Sequence, residues 1–274
     1  MEKIKVIVNG LPGKMATAIA EAVINSKDME LLPHSLTGPE VDYKMIMINL
    51  FVPITLYGPD EKDQLLSGGI PDIIVDFTHP SAIEENVTFY TDNKIPFVLG
   101  TTGFDFGLII SKVLKAKMVA VVAPNMAKEI VAFQAMMEYA AENFPNAFKG
   151  YSLEVTESHQ STKADTSGTA KAVIDSFNKL GVPFTVEQID KKRSKTDYEA
   201  LGIQSEYWDG HGWHTYTLRK PDDSVFFQFT HNVNGREVYV SGTLEAIRFL
   251  NLVNSLPFDY CGVYTMKSVL TNKF

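Results

Sequence analysis

The N-terminal segment 4–16 has the sequence IKVIVNGLPGKMA. Residues 4–8 form a short run of mostly β-branched apolar side chains and predict a buried strand. A turn that contains Gly10 and Gly13 follows, and residues 15–24 have a helical pattern. A strand, a glycine-containing turn and a helix in this order are typical of the first turn of a dinucleotide-binding domain.

The glycine spacing in this turn is Gly10-x-x-Gly13-x-x-Ala16, which departs from the usual G-x-G-x-x-G. Glycine at the first two positions lets the backbone approach a pyrophosphate, and Ala16 takes the place where helix and strand pack closely. Many buried strand–turn–helix units share this pattern and bind nothing. The candidate cofactor-binding residues of the turn are Gly10, Leu11, Pro12, Gly13, Lys14 and Met15.

The first half of the chain alternates short apolar strands with helices. We predict strands at 31–36, 73–77, 96–99 and 118–123, two short strands within 45–57 that are broken at Pro53, and helices at 61–67, 80–93 and 106–115. Alternating strands and helices of these lengths predict a parallel sheet covered on both faces. The fold class is therefore α/β, with an N-terminal Rossmann-like parallel sheet.

Polar or glycine-containing loops follow several of these strands. Ligands bind beyond the carboxyl ends of the strands in such sheets, so we expect a cofactor crevice along this edge. The candidate residues from these loops are Phe77, Thr78, Gly100, Thr101, Thr102, Pro124, Asn125 and Met126.

The pattern changes after residue 126. We predict a long helix at 127–144, a helix at 170–180, and strands at 151–156, 184–189, 202–208, 211–218 and 225–233. This arrangement predicts a second, α+β domain. A helical pattern returns at 244–256, and we expect this helix to pack on the first domain.

Residues 157–170 have the sequence ESHQSTKADTSGTA and contain the candidate catalytic and substrate-binding residues of the second domain. His159 can exchange a proton near neutral pH, and Lys163 adds a positive charge. Ser167-Gly168-Thr169 precedes a predicted helix, whose first N–H groups attract anions. The segment therefore predicts a site that holds and protonates a small anion. The alternative is a capped surface loop, since serine and threonine commonly cap helices.

Composition limits the other possibilities. A net charge of −8 argues against a general nucleic-acid or anionic-membrane surface. The single cysteine, Cys261, excludes an intrachain disulfide and a cysteine-based zinc site, and we predict no bound metal. We see no signal peptide and no apolar run long enough to span a bilayer. We therefore expect a cytoplasmic protein, or one of the plastid stroma if a transit peptide has been removed.

These motifs together resemble the dihydrodipicolinate reductase family, also called 4-hydroxy-tetrahydrodipicolinate reductase. The likeness covers nearly the whole chain and includes the 8–15 turn, Asp76-Phe77-Thr78, 100–103, 157–170, and His231-Asn232 with Gly235-Arg236. Gln160 stands where bacterial members usually have a second histidine, and the loop before Ser167 is one residue shorter. Both features resemble the plant-type branch.

The resemblance implies a dinucleotide-binding domain at 1–126 and 237–274 and a substrate-binding and tetramerisation domain at 127–236. It implies a homotetramer and a reaction in which a reduced nicotinamide gives a hydride to an unsaturated cyclic imine dicarboxylate. The product would be tetrahydrodipicolinate, on the diaminopimelate route to lysine.

The resemblance also assigns roles to individual residues. His159 and Lys163 would be the proton donors, and Ser167, Gly168 and Thr169 would hold a substrate carboxylate. Thr102 would touch both cofactor and substrate. Gln160 would bind substrate by hydrogen bonds, since an amide cannot titrate.

The choice of cofactor depends on the end of the second strand. An acidic residue there would bind the ribose hydroxyls of NADH. The residues in this region are Ser35 and Thr37, with Lys44 nearby, which favours the 2′-phosphate of NADPH. Glu40 and Asp42 could also reach a ribose, so NADH remains possible.

Two other functions are compatible with parts of the sequence. Another two-domain NADP oxidoreductase, such as a semialdehyde dehydrogenase, would need a thiolate nucleophile, and Cys261 lies beyond the second domain. A non-catalytic NADP-binding sensor would need the glycine turn, but not His159 together with Lys163.

Overall fold

The computed structural model describes residues 2–163, 165–256 and 260–273. The chain forms two compact units. Unit 1 comprises Met1–Lys128 together with Glu237–Phe274, and unit 2 comprises Glu129–Arg236. The chain therefore leaves unit 1, builds unit 2, and returns to unit 1 near its C-terminus.

Helices and strands are numbered along the chain. The helices are α1 (Lys14–Asn25), α2 (Ile83–Asp92), α3 (Phe106–Ala116), α4 (Lys128–Asn143), α5 (Gly168–Lys179), α6 (Lys195–Ala200), α7 (Glu237–Asn254) and α8 (Met266–Thr271). The strands are β1 (Ile4–Asn9), β2 (Met29–Leu31), β3 (His34–Leu36), β4 (Met45–Ile48), β5 (Val52–Tyr57), β6 (Ile73–Asp76), β7 (Phe97–Leu99), β8 (Val119–Val122), β9 (Ser152–His159), β10 (Asp190–Lys192), β11 (His211–Arg219), β12 (Phe226–Asn234) and β13 (Gly262–Tyr264). Short 3-10 helices occur at Pro59–Leu66, Pro80–Ala82, Val186–Gln188 and Ser205–Tyr207. In the described ranges, no helix has the length and apolar character needed to cross a membrane.

Unit 1 is organised around a six-stranded sheet with the order β13-β8-β7-β6-β1-β2. Every neighbouring pair in it is parallel, which confirms the predicted parallel sheet. β6, β7 and β8 are buried along their whole length, and this burial explains their nearly continuous apolar runs. Because β1 and β6 are neighbours, the turn after β1 and the loop after β6 lie side by side.

A buried hydrogen-bond network joins the carboxyl ends of β1 and β6. The Asn9 amide donates to the Tyr90 hydroxyl at 2.8 Å, and that hydroxyl donates to the Asp76 carboxyl group at 2.6 Å. Burial, together with the nearby Asp76, raises the pKa of Tyr90 well above its usual value, so the phenol remains a donor. Asp76 also accepts from the Asn86 side chain and the Thr78 amide. The network therefore fixes the loop that begins at Thr78.

Several element boundaries in unit 1 differ from the prediction. The segment 31–36 forms two strands, because Pro33 interrupts it and β3 leaves the main sheet to join β5 and β4. The predicted break at Pro53 is wrong. Pro53 lies inside β5 opposite Met47, beyond the residues that pair with β3, and the chain turns instead at residues 49–51.

Two further predicted helices have other bounds in the structure, and two short elements were not predicted. The short helix predicted at 61–67 is a 3-10 helix at Pro59–Leu66. The predicted helix at 244–256 begins earlier, at Glu237. β13 and α8 were not predicted, since three and six residues are too short to show a period.

Unit 2 contains a four-stranded sheet with the order β10-β9-β11-β12. β10 runs parallel to β9, whereas β11 runs antiparallel to both β9 and β12. Val173 and Phe177 of α5 share one buried apolar cluster with Val155 of β9 and Tyr216 of β11. The helix therefore covers one face of this sheet with its apolar side.

Two segments predicted as strands in unit 2 have another structure. The segment 184–189 contains a 3-10 helix before β10 begins, and the segment 202–208 contains a second 3-10 helix. Phe184, Ile189 and Ile203 are buried in these segments. Their apolar pattern therefore reflects packing rather than strand pairing.

Two histidines and a tyrosine lie close together in unit 2. His214 is 4% exposed, and its ring stacks on that of His231 with centroids 4.8 Å apart. The ring of the fully buried Tyr216 lies nearly parallel to that of His214. Burial lowers the pKa of His214, and burial with nearby imidazoles lowers the pKa of His231 to about 4. Both imidazoles are therefore neutral at physiological pH.

We predict that His231 makes the fold less stable in mild acid. The unfolded chain takes up a proton on a histidine at about pH 6.5, whereas the folded chain holds His231 neutral down to about pH 4. The unfolded state binds more protons in this window, so stability present above it is lost as the pH falls. His231→Phe removes this titration. The Tm of the variant minus the Tm of the original protein should therefore be larger at pH 5 than at pH 7.5, by on the order of a few degrees. Differential scanning calorimetry at the two pH values measures this change.

Tyr216→Phe provides the matched control for this prediction. It changes the same core, but burial raises the pKa of Tyr216, so this phenol does not titrate in the acid range. The Tm difference for the control should not depend on pH. A pH-independent difference for His231→Phe as well would contradict the prediction.

Candidate active site

His159 is the last residue of β9 and lies directly opposite Gly212 of β11. The predicted strand ended at residue 156 and left His159 in the following loop, whereas the structure extends the strand to it. A Cβ atom at position 212 would lie 3.3 Å from His159 Nε2. The missing side chain at Gly212 therefore leaves room for the imidazole, whose exposed fraction is 12%.

The carboxylate of Glu157 is completely buried beside His159. Its Oε1 lies 3.4 Å from His159 Nδ1 and 2.5 Å from Arg193 Nη2. Its Oε2 accepts the Ser167 N–H at 3.0 Å and lies 3.7 Å from His214 Nε2. Burial would raise the pKa of Glu157, but the contacts with both imidazoles, the guanidinium and the amide hold this pKa far below its usual value. Glu157 is therefore a charged group at the centre of the site.

The contacts between Glu157 and the two imidazoles have ion-pair distances, not complete hydrogen-bond geometry. Among the residues that the structure describes, none offers His159 Nδ1 or either ring nitrogen of His214 a partner with full hydrogen-bond geometry. Such contacts are often long in the absence of substrate and become shorter in the reacting complex. Because Nδ1 of His159 faces the carboxylate, Nε2 is the ring nitrogen left for a substrate.

Arg193 connects Glu157 to the loop that carries Lys163. Besides the ion pair, its Nε donates to the Lys163 carbonyl at 3.2 Å and its Nη1 donates to the Glu157 carbonyl at 3.0 Å. Arg193 follows β10 directly, and β10 lies beside β9. No motif surrounds Arg193 in the sequence, and only strand pairing brings it to the site, so it was not predicted.

Lys163 lies in the turn that directly follows β9. Its backbone N–H donates to the Gln160 carbonyl at 3.0 Å, which closes a turn directly after His159. The side chain is 24% exposed and forms an ion pair with Asp165 at 2.8 Å. This hydrogen bond lowers the pKa of Asp165. This turn therefore keeps the backbone of Lys163 beside that of Gln160, and the roles of His159, Gln160 and Lys163 stay predictions.

Ser167, Gly168 and Thr169 form the start of α5. The Ser167 hydroxyl accepts the Thr169 N–H at 3.2 Å and so acts as the helix cap. Among the described residues, no atom outside its chain neighbours and its own helix backbone lies within 4 Å of the place where a Cβ of Gly168 would be. The open space beside the first turn, with its partial positive charge, is suited to a carboxylate.

Among the described residues, Glu157, His159 and His214 present possible metal-ligand atoms within 4.8 Å of one another. Arg193 already pairs with the carboxylate oxygen that faces His159. The positive charge of this guanidinium would repel a metal ion bound to the same carboxylate. We therefore interpret the group as an acid–base cluster, and the absence of a metal stays a prediction.

In unit 1, a cavity of about 430 Å³ lies at the carboxyl ends of β1, β3 and β6. This is the edge at which a parallel sheet binds ligands. The predicted cofactor residues that line it are Gly10, Leu11, Pro12, Gly13, Lys14, Thr37, Phe77 and Thr78.

The turn after β1 needs glycine for its own geometry. Gly10 has a φ of +105°, and a Cβ there would lie 2.6 Å from the Phe77 carbonyl oxygen. A Cβ at Gly13 would lie 2.7 Å from the Gly10 carbonyl oxygen. α1 begins after Gly13 without a side-chain cap, so its first N–H groups can face a phosphate.

The other predicted cofactor residues lie outside the lining of this cavity. Ser35 is fully buried, and its hydroxyl donates to the Leu36 carbonyl at 3.0 Å. Lys44 forms an ion pair with Glu61. Contact with the cofactor stays a prediction for every residue outside the lining: Met15, Ser35, Lys44, Gly100, Thr101, Thr102, Pro124, Asn125 and Met126.

The cavity is also lined by three charged residues that were not predicted as a group: Glu40, Lys62 and Glu85. Lys62 belongs to the 3-10 helix after β5, its side chain is 15% exposed, and it pairs with Glu85 at 3.3 Å. Glu40 follows β3 and had been considered only for a ribose. No local pattern marks Lys62, since its position depends on how the 3-10 helix packs.

Comparison with known proteins gives a consistent result. Residues 4–126 match the family described as "Dihydrodipicolinate reductase, N-terminus", and residues 129–270 match "Dihydrodipicolinate reductase, C-terminus". The two matches together span most of the chain.

A chloroplastic 4-hydroxy-tetrahydrodipicolinate reductase of Arabidopsis thaliana is 42% identical over 272 residues, which cover 97% of this chain and 78% of the plant protein. The corresponding reductase of Methanocaldococcus jannaschii is 28% identical over 261 residues, which cover 90% of this chain and 92% of that protein. The dipicolinate-bound dihydrodipicolinate reductase of Paenisporosarcina sp. TG-14 shares the fold, with a TM-score of 0.66 at 20% identity over 96% of this chain and 97% of that one. This chain belongs to the dihydrodipicolinate reductase family of NAD(P)H-dependent oxidoreductases, which reduce 4-hydroxy-tetrahydrodipicolinate on the diaminopimelate route to lysine.

Proposed function

We propose that His159 and Lys163 deliver the proton in this reduction. The reaction takes up one hydride and one proton and releases one water molecule, and the nicotinamide supplies the hydride when it is bound. The observation that supports His159 most is the buried Glu157 carboxylate, 3.4 Å from its Nδ1. A carboxylate behind Nδ1 fixes the tautomer and orientation of an imidazole, so that Nε2 can serve as the donor.

We propose that the substrate, a small dicarboxylate, binds at the start of α5. Ser167, Gly168 and Thr169 would hold one carboxylate by hydrogen bonds, since the first turn of a helix attracts anions. Lys163 pairs with Asp165 at 2.8 Å, and a substrate carboxylate would take the place of Asp165. The ammonium group would then stabilise charge that develops during hydride transfer.

Gln160 and Thr102 have supporting roles in this proposal. Gln160 follows His159 directly and is half-buried, so its amide can donate to or accept from the substrate without titrating. Thr102 is exposed in the loop after β7, in unit 1, and would contact both cofactor and substrate.

We predict that His159→Ala and Lys163→Ala each reduce kcat by about 10²–10⁴-fold, because each removes a group that transfers a proton or stabilises charge. The Kd for NADPH should not change, since neither residue lies in unit 1. A coupled assay with the upstream aldolase, followed by NADPH absorbance, measures turnover. Lys179→Ala serves as the control, since Lys179 lies at the far end of α5 and pairs with Asp175. Near-normal turnover of both active-site variants would refute the roles.

We propose that NADPH is the preferred cofactor, with NADH as a possible substitute. The 2′-phosphate needs a cation near the end of β3, where Thr37 lines the cavity. Lys62, which pairs with Glu85, lines the same cavity, whereas Lys44, which pairs with Glu61, lies outside its lining. Glu40 also lines it and would suit the ribose hydroxyls of NADH.

We predict that Lys62→Ala raises the KM for NADPH by about tenfold, because a charge-assisted contact with a phosphate is worth roughly 1.4 kcal/mol or more. The KM for NADH should change little. Steady-state kinetics with both cofactors measure the two effects. Lys44→Ala is the matched comparison, and a larger effect of this variant would assign the 2′-phosphate to Lys44.

We propose that the chain forms a homotetramer through the sheet of unit 2. β12 is an edge strand of that sheet, and its Phe226 and Phe227 are 49% and 39% exposed. Exposed aromatic side chains on a sheet edge favour association with another copy.

We predict that the double substitution Phe226→Asp with Phe227→Asp lowers the assembly mass, because charge would be placed in the interface. Light scattering coupled to size-exclusion chromatography measures this mass. Phe51→Asp is the control, since Phe51 is 83% exposed but belongs to unit 1. A tetrameric mass for the double variant would contradict the proposed interface.

We propose that the protein works in the cytoplasm, or in the plastid stroma if its cell has plastids. The Arabidopsis relative is named chloroplastic, which supports the second setting. The single cysteine fits the reducing conditions of both compartments.

A further inference from the structure

Three segments of the active site meet at the ion pair between Glu157 and Arg193. The carboxylate faces His159 at 3.4 Å and accepts the Ser167 N–H at 3.0 Å. The guanidinium donates to the Lys163 carbonyl at 3.2 Å. The end of β9, the start of α5 and the loop between them are therefore all attached to one pair of charges.

We propose that Glu157 and Arg193 are positioning residues, which hold the proton donors and the anion-binding turn in one arrangement. This inference rests on the proposed roles of His159, Lys163 and Ser167. It assigns to the pair the distance and orientation between those groups, and no direct contact with substrate.

The geometry of Arg193 explains why this position needs arginine. Its guanidinium pairs with Glu157 and also donates to the carbonyls of Glu157, Lys163 and Lys192. A planar group with donors on several edges can serve these acceptors together, whereas the compact ammonium of lysine cannot. The arginine thus holds the backbone of β9, of the loop between β9 and α5, and of β10.

Tyr198 strengthens the same connection. Its hydroxyl lies 2.9 Å from the His159 carbonyl and 2.8 Å from the Arg193 carbonyl. Tyr198 therefore connects the backbone of His159 to the backbone of Arg193, in addition to the contacts that the Arg193 side chain makes. This contact fixes the main chain at His159, while Glu157 fixes its ring.

A purely stabilising role does not account for this arrangement. A buried ion pair contributes little net stability, and apolar residues of similar volume often replace such a pair without loss. Here, the contacts of the pair are directed to the segments that carry the site: His159, Lys163 and Ser167. The buried pair therefore organises the site more than it stabilises the fold.

Glu157→Gln and Arg193→Ala test the proposal. The first substitution keeps the shape of the side chain but loses the ion pair, and the second releases the Lys163 carbonyl. We expect kcat to fall by about 100-fold in each variant, because displacement of reacting groups by about 1 Å has an effect of this size. The KM for the dicarboxylate substrate should rise, whereas the Kd for NADPH should stay unchanged.

Chemical rescue separates positioning from a general effect on folding. Added guanidinium should restore part of kcat in Arg193→Ala, because it can occupy the space beside the Glu157 carboxylate. Arg248→Ala is the matched control, since Arg248 makes a two-contact pair with Asp28, at 2.7 and 3.0 Å, on the exposed surface of unit 1. Its kcat should equal that of the original protein, with or without guanidinium.

Hydrogen exchange gives a readout that does not depend on activity. The amide of Ser167 should exchange faster in Glu157→Gln, and the amide of Lys163 should exchange faster in Arg193→Ala. Turnover kept by His159→Ala would refute the proposed function, and with it the positioning of a proton donor. Turnover lost in His159→Ala, with exchange, kcat and KM unchanged in the Glu157 and Arg193 variants, would refute the positioning role alone. Folded variants with unchanged exchange, kcat and KM would overturn the proposal. Unfolding of both variants would also overturn it, because the pair would then determine the fold itself.

Discussion

A charged carboxylate in the interior of unit 2 determines how the candidate active site is arranged. Transfer of an isolated charge from water into a protein interior is strongly unfavourable. Glu157 is nevertheless completely buried, and its pKa is held far below the usual value by the contacts that oppose the effect of burial. The sequence must therefore supply partners from several directions: Arg193, Ser167 and two imidazoles. The end of β9 and the start of α5 are held in place by these contacts.

Unit 1 meets a similar requirement at the carboxyl end of its own sheet. Asp76, also fully buried, accepts hydrogen bonds from Tyr90, Asn86 and Thr78. These bonds fix the loop after β6, while the turn after β1 packs so closely on it that only glycine fits at position 10. In both units, a buried acid at or near the end of a strand orders the loops that are proposed to bind ligands. Local backbone geometry and ligand binding thus depend on the same few polar contacts.

The sequence predicted those parts of the fold and site whose causes are local. A strand, a glycine turn and a helix are contiguous, and so is the segment that holds His159, Lys163 and Ser167. Family membership decides against the sensor and the semialdehyde dehydrogenase as alternatives. Arg193 was missed, because only the pairing of β10 with β9 brings it to Glu157. The segments 184–189 and 202–208 were misassigned, because apolar side chains buried by irregular packing show the same short pattern as a strand.

The charges around Glu157 would also link the proposed proton delivery to the proposed substrate binding. With His159 neutral, the carboxylate and the Arg193 guanidinium cancel, and the chain as a whole carries a net charge of −8. A proton on His159 would leave this group with a net positive charge, beside Lys163 and the partly positive start of α5. His214 adds no charge, because burial lowers its pKa. The site would thus attract a dianion most strongly when it carries the proton to be transferred, and it would hold the product less tightly once that proton has left.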